Sequence, residues 1–193
     1  MTFPRTRCKH CKGKLETGQR ILHPACIDDF AVAEAARMER KKAKEARAAA
    51  KVERAETRRR KEAIKTLPKL KKEAEREFNA FIRARDAHLP CISCGAPPPD
   101  LSGLHAGRDA GHYRSVGSAA HLRYHEDNVH AQCVHCNQYG AGRAVEYRIG
   151  LIARIGEGRV VALETNNTVR KFAHDELRGI RDTYKAKLKE MKC

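Results

Sequence analysis

The chain has 193 residues, of which 40 are Lys or Arg and 24 Asp or Glu, giving a formal net charge of +16 and a pI near 9.8. One third of the residues are charged, 5% are aromatic and none is Trp, which argues against one large apolar core. No segment approaches the roughly 18 consecutive apolar residues of a membrane span, and so large a basic excess points to a polyanionic partner, nucleic acid ahead of an anionic membrane surface.

Seven of the eight cysteines fall into Cys-x-x-Cys or His-x-x-Cys groupings, and the basic residues of the first ten positions are followed by no apolar run. The expectation is metal binding in a reducing cytosol rather than a secreted disulfide scaffold. Residues 1–30 read as a small zinc knuckle. Cys8, Cys11, His23 and Cys26 carry two residues inside each pair and 11 between the pairs, with His10 as a rival fourth ligand. Residues 31–67 contain neither Gly nor Pro and are dominated by Ala, Glu, Lys and Arg, which predicts one helix roughly 55 Å long. A 3,4-spaced seam through Val32, Ala36, Glu39 and Ala43 is too polar to drive a coiled coil, so a solvated single helix is expected and a homodimer is only an open alternative. Between Arg37 and Arg76 there are 17 Lys or Arg against 7 Glu, and such a rod can follow a phosphate backbone without reading sequence.

Pro68 should end that helix and begin the third segment, 68–193. A second helix is predicted over 69–87, its apolar stripe of Ala74, Phe78, Phe81 and Ile82 packing on a zinc core. Cys91, Cys94, Cys133 and Cys136 then form two Cys-x-x-Cys pairs, the donor set of a closed, structural zinc site. The 38 residues between the pairs must carry structure or function of their own. A rigid loop is predicted at 96–100, strands around 111–114 and 128–133, and a helix from about Cys136, weakened early by Gly140 and Gly142. Within this stretch His112 is a candidate general base near neutral pH, and Asp109 and Asn137 offer hard oxygen ligands for Mg²⁺ or Mn²⁺. Asn137 directly follows a predicted zinc ligand, which would fix its place. Of the other histidines, His121, His125, His130 and His105 are expected to be structural or exposed, with His130 facing away from the site and His135 facing solvent.

His112, then Asn128 within Asn-Val-His-Ala-Gln-Cys, then Cys-Val-His-Cys-Asn ending at Asn137 resembles an HNH, or ββα-metal, endonuclease with Asn at the last position. Asp-Ala-Gly-His-Tyr-Arg at 109–114, Cys-Ile-Ser-Cys-Gly at 91–95 and the preceding basic rod resemble the lambdoid-phage NinG, or Rap, recombination endonucleases. The likeness is close from about Phe78 onward and looser over the knuckle. It implies a zinc-stabilised ββα-metal core, magnesium-dependent cutting of branched DNA such as Holliday junctions and D-loops, and work in the cytoplasm of a host bacterium. It also implies His112, Asn137 and Asp109 as the catalytic set, with Asn128 fixing the loop that carries His112. One departure is that Ala110 and Gly111 separate Asp109 from His112, where such enzymes commonly place an acidic residue directly before the histidine.

The C-terminal stretch is predicted to be helical, with Val145, Ile149 and Ile152 forming one packing face and Leu177, Ile180, Tyr184, Leu188 and Met191 another. Gly156 and Gly158 should break the first of these helices, and Asn166 with Asn167 marks a turn. Glu146 could add a carboxylate to the metal but fits a surface ion pair better, and Cys193 is left unpaired. The fold expected is α+β and mostly helical. The function expected is a metal-dependent DNA endonuclease with two structural Zn²⁺ and a catalytic Mg²⁺ or Mn²⁺. Its rivals are a non-catalytic zinc-finger DNA-binding protein and an interaction protein with the rod as its docking helix.

Overall fold

A computed structural model describes residues 5–98 and 107–191, so His105, Cys193 and the end of the proline loop lie outside the described residues. The chain forms two compact units, residues 1–64 and 65–193. The sequence division at 30 and 67 places the knuckle and the rod together in the first unit, and segment 68–193 in the second.

In the first unit the strand-like bridge Arg7 to Lys14 closes a tight turn in which the Cys8 N–H donates to Gly13 O at 2.8 Å. A turn at Pro24–Cys26 runs directly into α1, Ile27–Ala63, so Cys26 is both a candidate ligand and the residue that starts the helix. With no Gly or Pro to interrupt it, α1 continues for 37 residues, four earlier at its start and at its end than the sequence pattern suggested. Asp28 and Asp29 in its first turn and Arg60 and Lys61 in its last complement the helix dipole. None of its residues is buried, and Lys9 lies over the Phe30 ring at 4.8 Å.

The second unit is mostly helical. Its order is α2 (Leu67–Arg85), β1 (Arg108–His112), β2 (Val129–Cys133), a single π turn (His135–Tyr139), α3 (Ala144–Ile155), α4 (Glu157–Thr165) and α5 (His174–Glu190). Pro68 sits in the first turn of α2, where its missing N–H costs nothing. The stripe Leu70, Ala74, Phe78 and Ile82 is fully buried, but its partners are Leu177 and Tyr184 of α5, with Tyr124 and Val129, rather than the cysteine cluster. Phe78 meets Tyr184 and Tyr124 edge-on at 4.7 and 5.8 Å, so both it and Phe81 are core.

The two strands pair antiparallel from Arg108 against Cys133 to His112 against Val129. β1 begins three residues before the predicted position and ends two earlier. Arg108 is anchored to Leu89 O and Ala96 O, both at 2.9 Å, which extends the pairing backward. At the other end the Arg114 N–H goes to the Asn128 side chain instead of a ladder partner.

α3 buries Tyr147 and Leu151, whereas Val145 and Ile149, expected to face the core, are 72% and 65% exposed. The helix is turned by the Tyr147 hydroxyl, which donates to Gly111 O at 2.7 Å and accepts the His130 N–H at 2.9 Å, standing between the two strands at the Gly111–His130 pair. Gly150 lets α3 approach the first cysteine pair, since a Cβ there would stand 2.0 Å from Ile92 O. Gly156, at φ +85°, ends α3 and starts α4, while Gly158 lies inside α4 and breaks nothing. α5 carries Leu177 and Tyr184 inward as predicted, but Met191 is 48% exposed.

Where α2 meets β2, Asp86 is 1% exposed and accepts from Arg85 Nε at 2.7 Å and from the Ala131 N–H at 2.9 Å. His130 Nδ1 lies 3.3 Å and Arg154 Nη1 3.5 Å from Asp86 Oδ2. Burial alone would raise the Asp86 pKa, but His130, Arg85 and the Ala131 amide outweigh it and hold the carboxylate far below its usual range. Asp86→Asn is expected to cost about 3–5 kcal/mol, because two arginines are left without their buried counter-charge. Urea unfolding measures this, and a loss under about 1 kcal/mol would show that the network is not a keystone of the unit.

Candidate metal centres and active-site cavity

Two donor sets have formed. Among the described residues, Cys8, Cys11, His23 and Cys26 bring their ligand atoms within 4.8 Å of one another, as do Cys91, Cys94, Cys133 and Cys136. In the first set His23 turns Nδ1 toward Cys11 Sγ at 3.2 Å and directs Nε2 at Lys14 O at 3.0 Å, so the backbone fixes the tautomer a metal needs. His10 is not part of that set. In the second, the N–H of Cys133 points at Cys91 Sγ (3.3 Å) and that of Cys136 at Cys133 Sγ (3.4 Å). Burial raises the Cys91 thiol, yet the N–H groups of Cys94, Cys133 and Ser93 overcome it and bring the pKa down to about 7. Both donor sets therefore fit a structural zinc ion with all four positions filled by protein.

The second cluster pins the end of β2 and the π turn, and so holds Asn137 in place. A cavity of 710 Å³ opens beside it, lined by His112, Tyr113, Arg114, Asn137 and Glu164 among others. His112 is at the last position of β1 with Nε2 at 3.1 Å from Arg123 O, so Nε2 carries the proton and Nδ1 keeps its lone pair. Burial lowers its pKa from the ordinary 6.5, outweighing the hydrogen bond to Arg123 O and the Glu75 charge, which act to raise it, and the imidazole is neutral at pH 7.

Asn128 is completely buried. Its Oδ1 accepts the Arg114 N–H at 2.9 Å, and its Nδ2 donates to Arg114 O at 3.1 Å and Leu122 O at 3.2 Å, which ties the chain after His112 to the turn before β2. Asp109 and Asn137 are brought together, but by a direct hydrogen bond. Asn137 Nδ2 donates to Asp109 Oδ2 at 2.9 Å, and Gln138 Nε2 to the same oxygen at 2.8 Å. Asp109 is not among the residues lining the cavity, since its odd spacing from His112 puts the two on opposite faces of β1. Glu146 lines a different cavity beside Cys91 and Gly150.

Several contributors carried no signal in the sequence. Glu164 enters the cavity wall from α4, accepting from the Tyr113 hydroxyl at 2.5 Å and from Arg148 Nε at 2.7 Å. Arg114 reaches across to Leu163 O (2.9 Å) and Asn166 O (2.6 Å), closing the end of α4 onto the same wall. Burial, then the adjacent Glu164 charge, pushes the Tyr113 hydroxyl up to about 12, so it stays a donor. Four other histidines of the second unit are structural or exposed. His121 Nε2 bonds Asn166 O (2.9 Å), His125 Nδ1 accepts the Asp127 N–H (3.3 Å), His130 is buried against Asp86, and His135 faces solvent.

The family model described as Bacteriophage Lambda NinG protein matches residues 1–193, the whole chain. The chain belongs to the NinG family. It is 44% identical over 121 residues to the Protein ninG of Escherichia phage lambda, 45% to that of Escherichia phage 933W and 43% to that of Salmonella phage P22. Each match covers 63% of this NinG-family chain and 56 to 57% of the relative, so the chain aligns with little more than half the length of the curated relatives it matches. No solved structure matches it. Among the described residues of this NinG-family chain, no helix is long and apolar enough to cross a membrane.

Proposed function

We propose that this chain is a metal-dependent endonuclease of the ββα-metal, or HNH, type that acts on branched DNA. The observation that carries the reading is that His112, on a strand end, and Asn137, one residue after a clustered cysteine, line the same cavity. Arg123 O holds the Nε2 proton and leaves neutral Nδ1 to take a proton from an attacking water. With Nδ2 committed to Asp109, Asn137 has Oδ1 available as a hard ligand, which makes Asp109 a positioning residue as readily as a ligand. A divalent cation bound there would supply charge stabilisation at the scissile phosphate and the leaving oxygen. Asn128 ties down the chain that follows His112, and Tyr113 and Glu164 line the same cavity, with Arg148 held on Glu164. The basic rod contributes affinity for phosphate.

The test is incubation of the full chain with Mg²⁺ and matched linear, forked and four-way DNAs. The reading predicts cutting that requires the divalent ion and is fastest on the branched substrates. Binding without cutting at any enzyme concentration would instead make the chain a zinc-finger DNA-binding protein.

A further inference from the structure

α1 carries an ordered charge pattern that its composition hides. Starting at Arg37 and stepping alternately three and four residues, each of the next seven positions, ending at Lys61, is Lys or Arg. The central four are Arg47, Lys51, Arg54 and Arg58, and with Ala50 and Ala55 they line a groove on the helix surface. A 3.5-residue step on a 3.6-residue helix drifts by only about 20° per heptad, so the row stays on one side of the rod as a slowly winding rail about 36 Å long.

Charge is also segregated around the rod. None of the six glutamates of α1 occupies a rail position, and at about 100° per residue Glu39, Glu45, Glu53 and Glu56 lie more than about 120° away from it. The basic residues off the rail include those that pair with them, Lys41 with Glu45 at 4.0 Å and Arg60 with Glu56 at 3.7 Å. On the rail only Arg37 is paired, with Glu34 at 3.0 Å. The other seven are exposed and have no ion pair among the described residues. A helix meant only to be soluble would satisfy its charges on all sides with i,i+4 partners. Here one side is left uncompensated.

We infer that this rail is a binding surface for duplex nucleic acid, seating one phosphate backbone of a DNA arm along one side of α1 without reading base sequence. A lipid surface fits less well, because the residues off the rail are a mixture of charges, Glu39, Glu45, Glu53 and Glu56 with Lys41, Lys42, Arg59 and Arg60, rather than a continuous apolar face to insert between headgroups. The rail is about as long as one turn of B-form duplex, roughly 34–36 Å. Long Lys and Arg side chains at steps of about 5 Å give it enough reach to follow a backbone through part of that turn. The choice of DNA as the polyanion rests on the function proposed above, but the surface itself does not depend on the cavity or its chemistry.

The experiment compares two full-length quadruple variants of equal net charge. One neutralises the rail (Arg47→Gln, Lys51→Gln, Arg54→Gln, Arg58→Gln), and the other neutralises positions off it (Lys41→Gln, Lys42→Gln, Arg59→Gln, Arg60→Gln). Gln has nearly the helix propensity of Lys and Arg, and circular dichroism checks that the rod survives. Affinity for a linear 30-base-pair duplex is measured against NaCl without divalent cation, so no cutting intervenes. The rail variant is expected to bind at least about tenfold more weakly and to lose about 2 to 3.6 from the log–log salt slope, at about 0.9 per phosphate contact. The off-rail variant should stay within about threefold of the parent.

Equal losses in both variants would mean that only net charge matters, and no loss in either would remove α1 from the interface. Each result overturns the rail. The same holds if the rail variant loses binding to phosphatidylserine vesicles while its duplex affinity is unchanged. If the rail effect appears but Mg²⁺-dependent cutting is absent from the parent chain, the nuclease reading fails and the rail stands.

Discussion

A chain carrying His112→Ala is expected to cut a four-way DNA about 10²- to 10⁴-fold more slowly than the parent while binding it equally well. The imidazole sits at the end of β1, its Nε2 proton held by Arg123 O, and no other histidine among the described residues lines the cavity. The same geometry sets a pH dependence. The folded pKa of His112 lies below 6.5, so cutting is expected to reach its plateau above that pH and to fall as pH drops through the lowered value. Stability follows the same sign. The unfolded chain takes up the proton at higher pH than the folded one, so the contribution is present above 6.5 and is lost as pH falls through the folded pKa. Single-turnover rates from pH 5 to 8 would measure both limbs. A His112→Ala chain that cuts at the parental rate would refute the assignment of the base, whatever becomes of the rest of the site.

Replacing Cys133 by Ser is expected to abolish the cooperative thermal transition of residues 65–193, whereas Cys8→Ser should leave that transition unchanged. Structural zinc contributes on the order of 10–16 kcal/mol in small metal-dependent modules. Here the four thiols join the segment after α2 to the end of β2 and the π turn. The two buried clusters of this unit are modest, so the loss of that tie is not made up elsewhere. Metal analysis provides the independent readout, with two zinc ions per parent chain and one in each variant. A Cys133→Ser chain that binds one zinc and melts like the parent would show that the second cluster is dispensable for folding.

What the sequence made legible was whatever rested on spacing or on composition. The absence of Gly and Pro predicted α1, the 3.6-residue stripe predicted the inner face of α2, and the two pairs of Cys-x-x-Cys-type motifs predicted both donor sets. The Asn128 and Asn137 positions came from a motif whose spacing is set by the strand and turn between them. The inner face of α3 is ambiguous in the sequence because the helix offers two apolar arcs, Val145 with Ile149 and Tyr147 with Leu151. The choice between them is made by one hydroxyl, that of Tyr147, finding a place between the strands. Asp86 and Glu164 were invisible for a related reason. Each reads as an ordinary polar residue near a helix end, and only the tertiary fold brings His130 and Arg154 to one and Tyr113 and Arg148 to the other. The rail is invisible to a hydrophobic pattern, because the 3,4 repeat in α1 is written in charge rather than in apolar residues.

Cys26 belongs to the first donor set and is also the residue from which α1 departs. A helix with no buried residue has little packing to start it, and starting is the costly step of helix formation. An ion held by Cys8, Cys11, His23 and Cys26 would fix the first turn before any of the rod is wound, acting as a template for the 37 residues that follow. Chelation at this end should therefore be felt far from the metal, as fraying that enters the rod at Ile27 and shortens the ordered span over which its charges stay in line. Zinc supply would then act as a dial on how much of that span is presented.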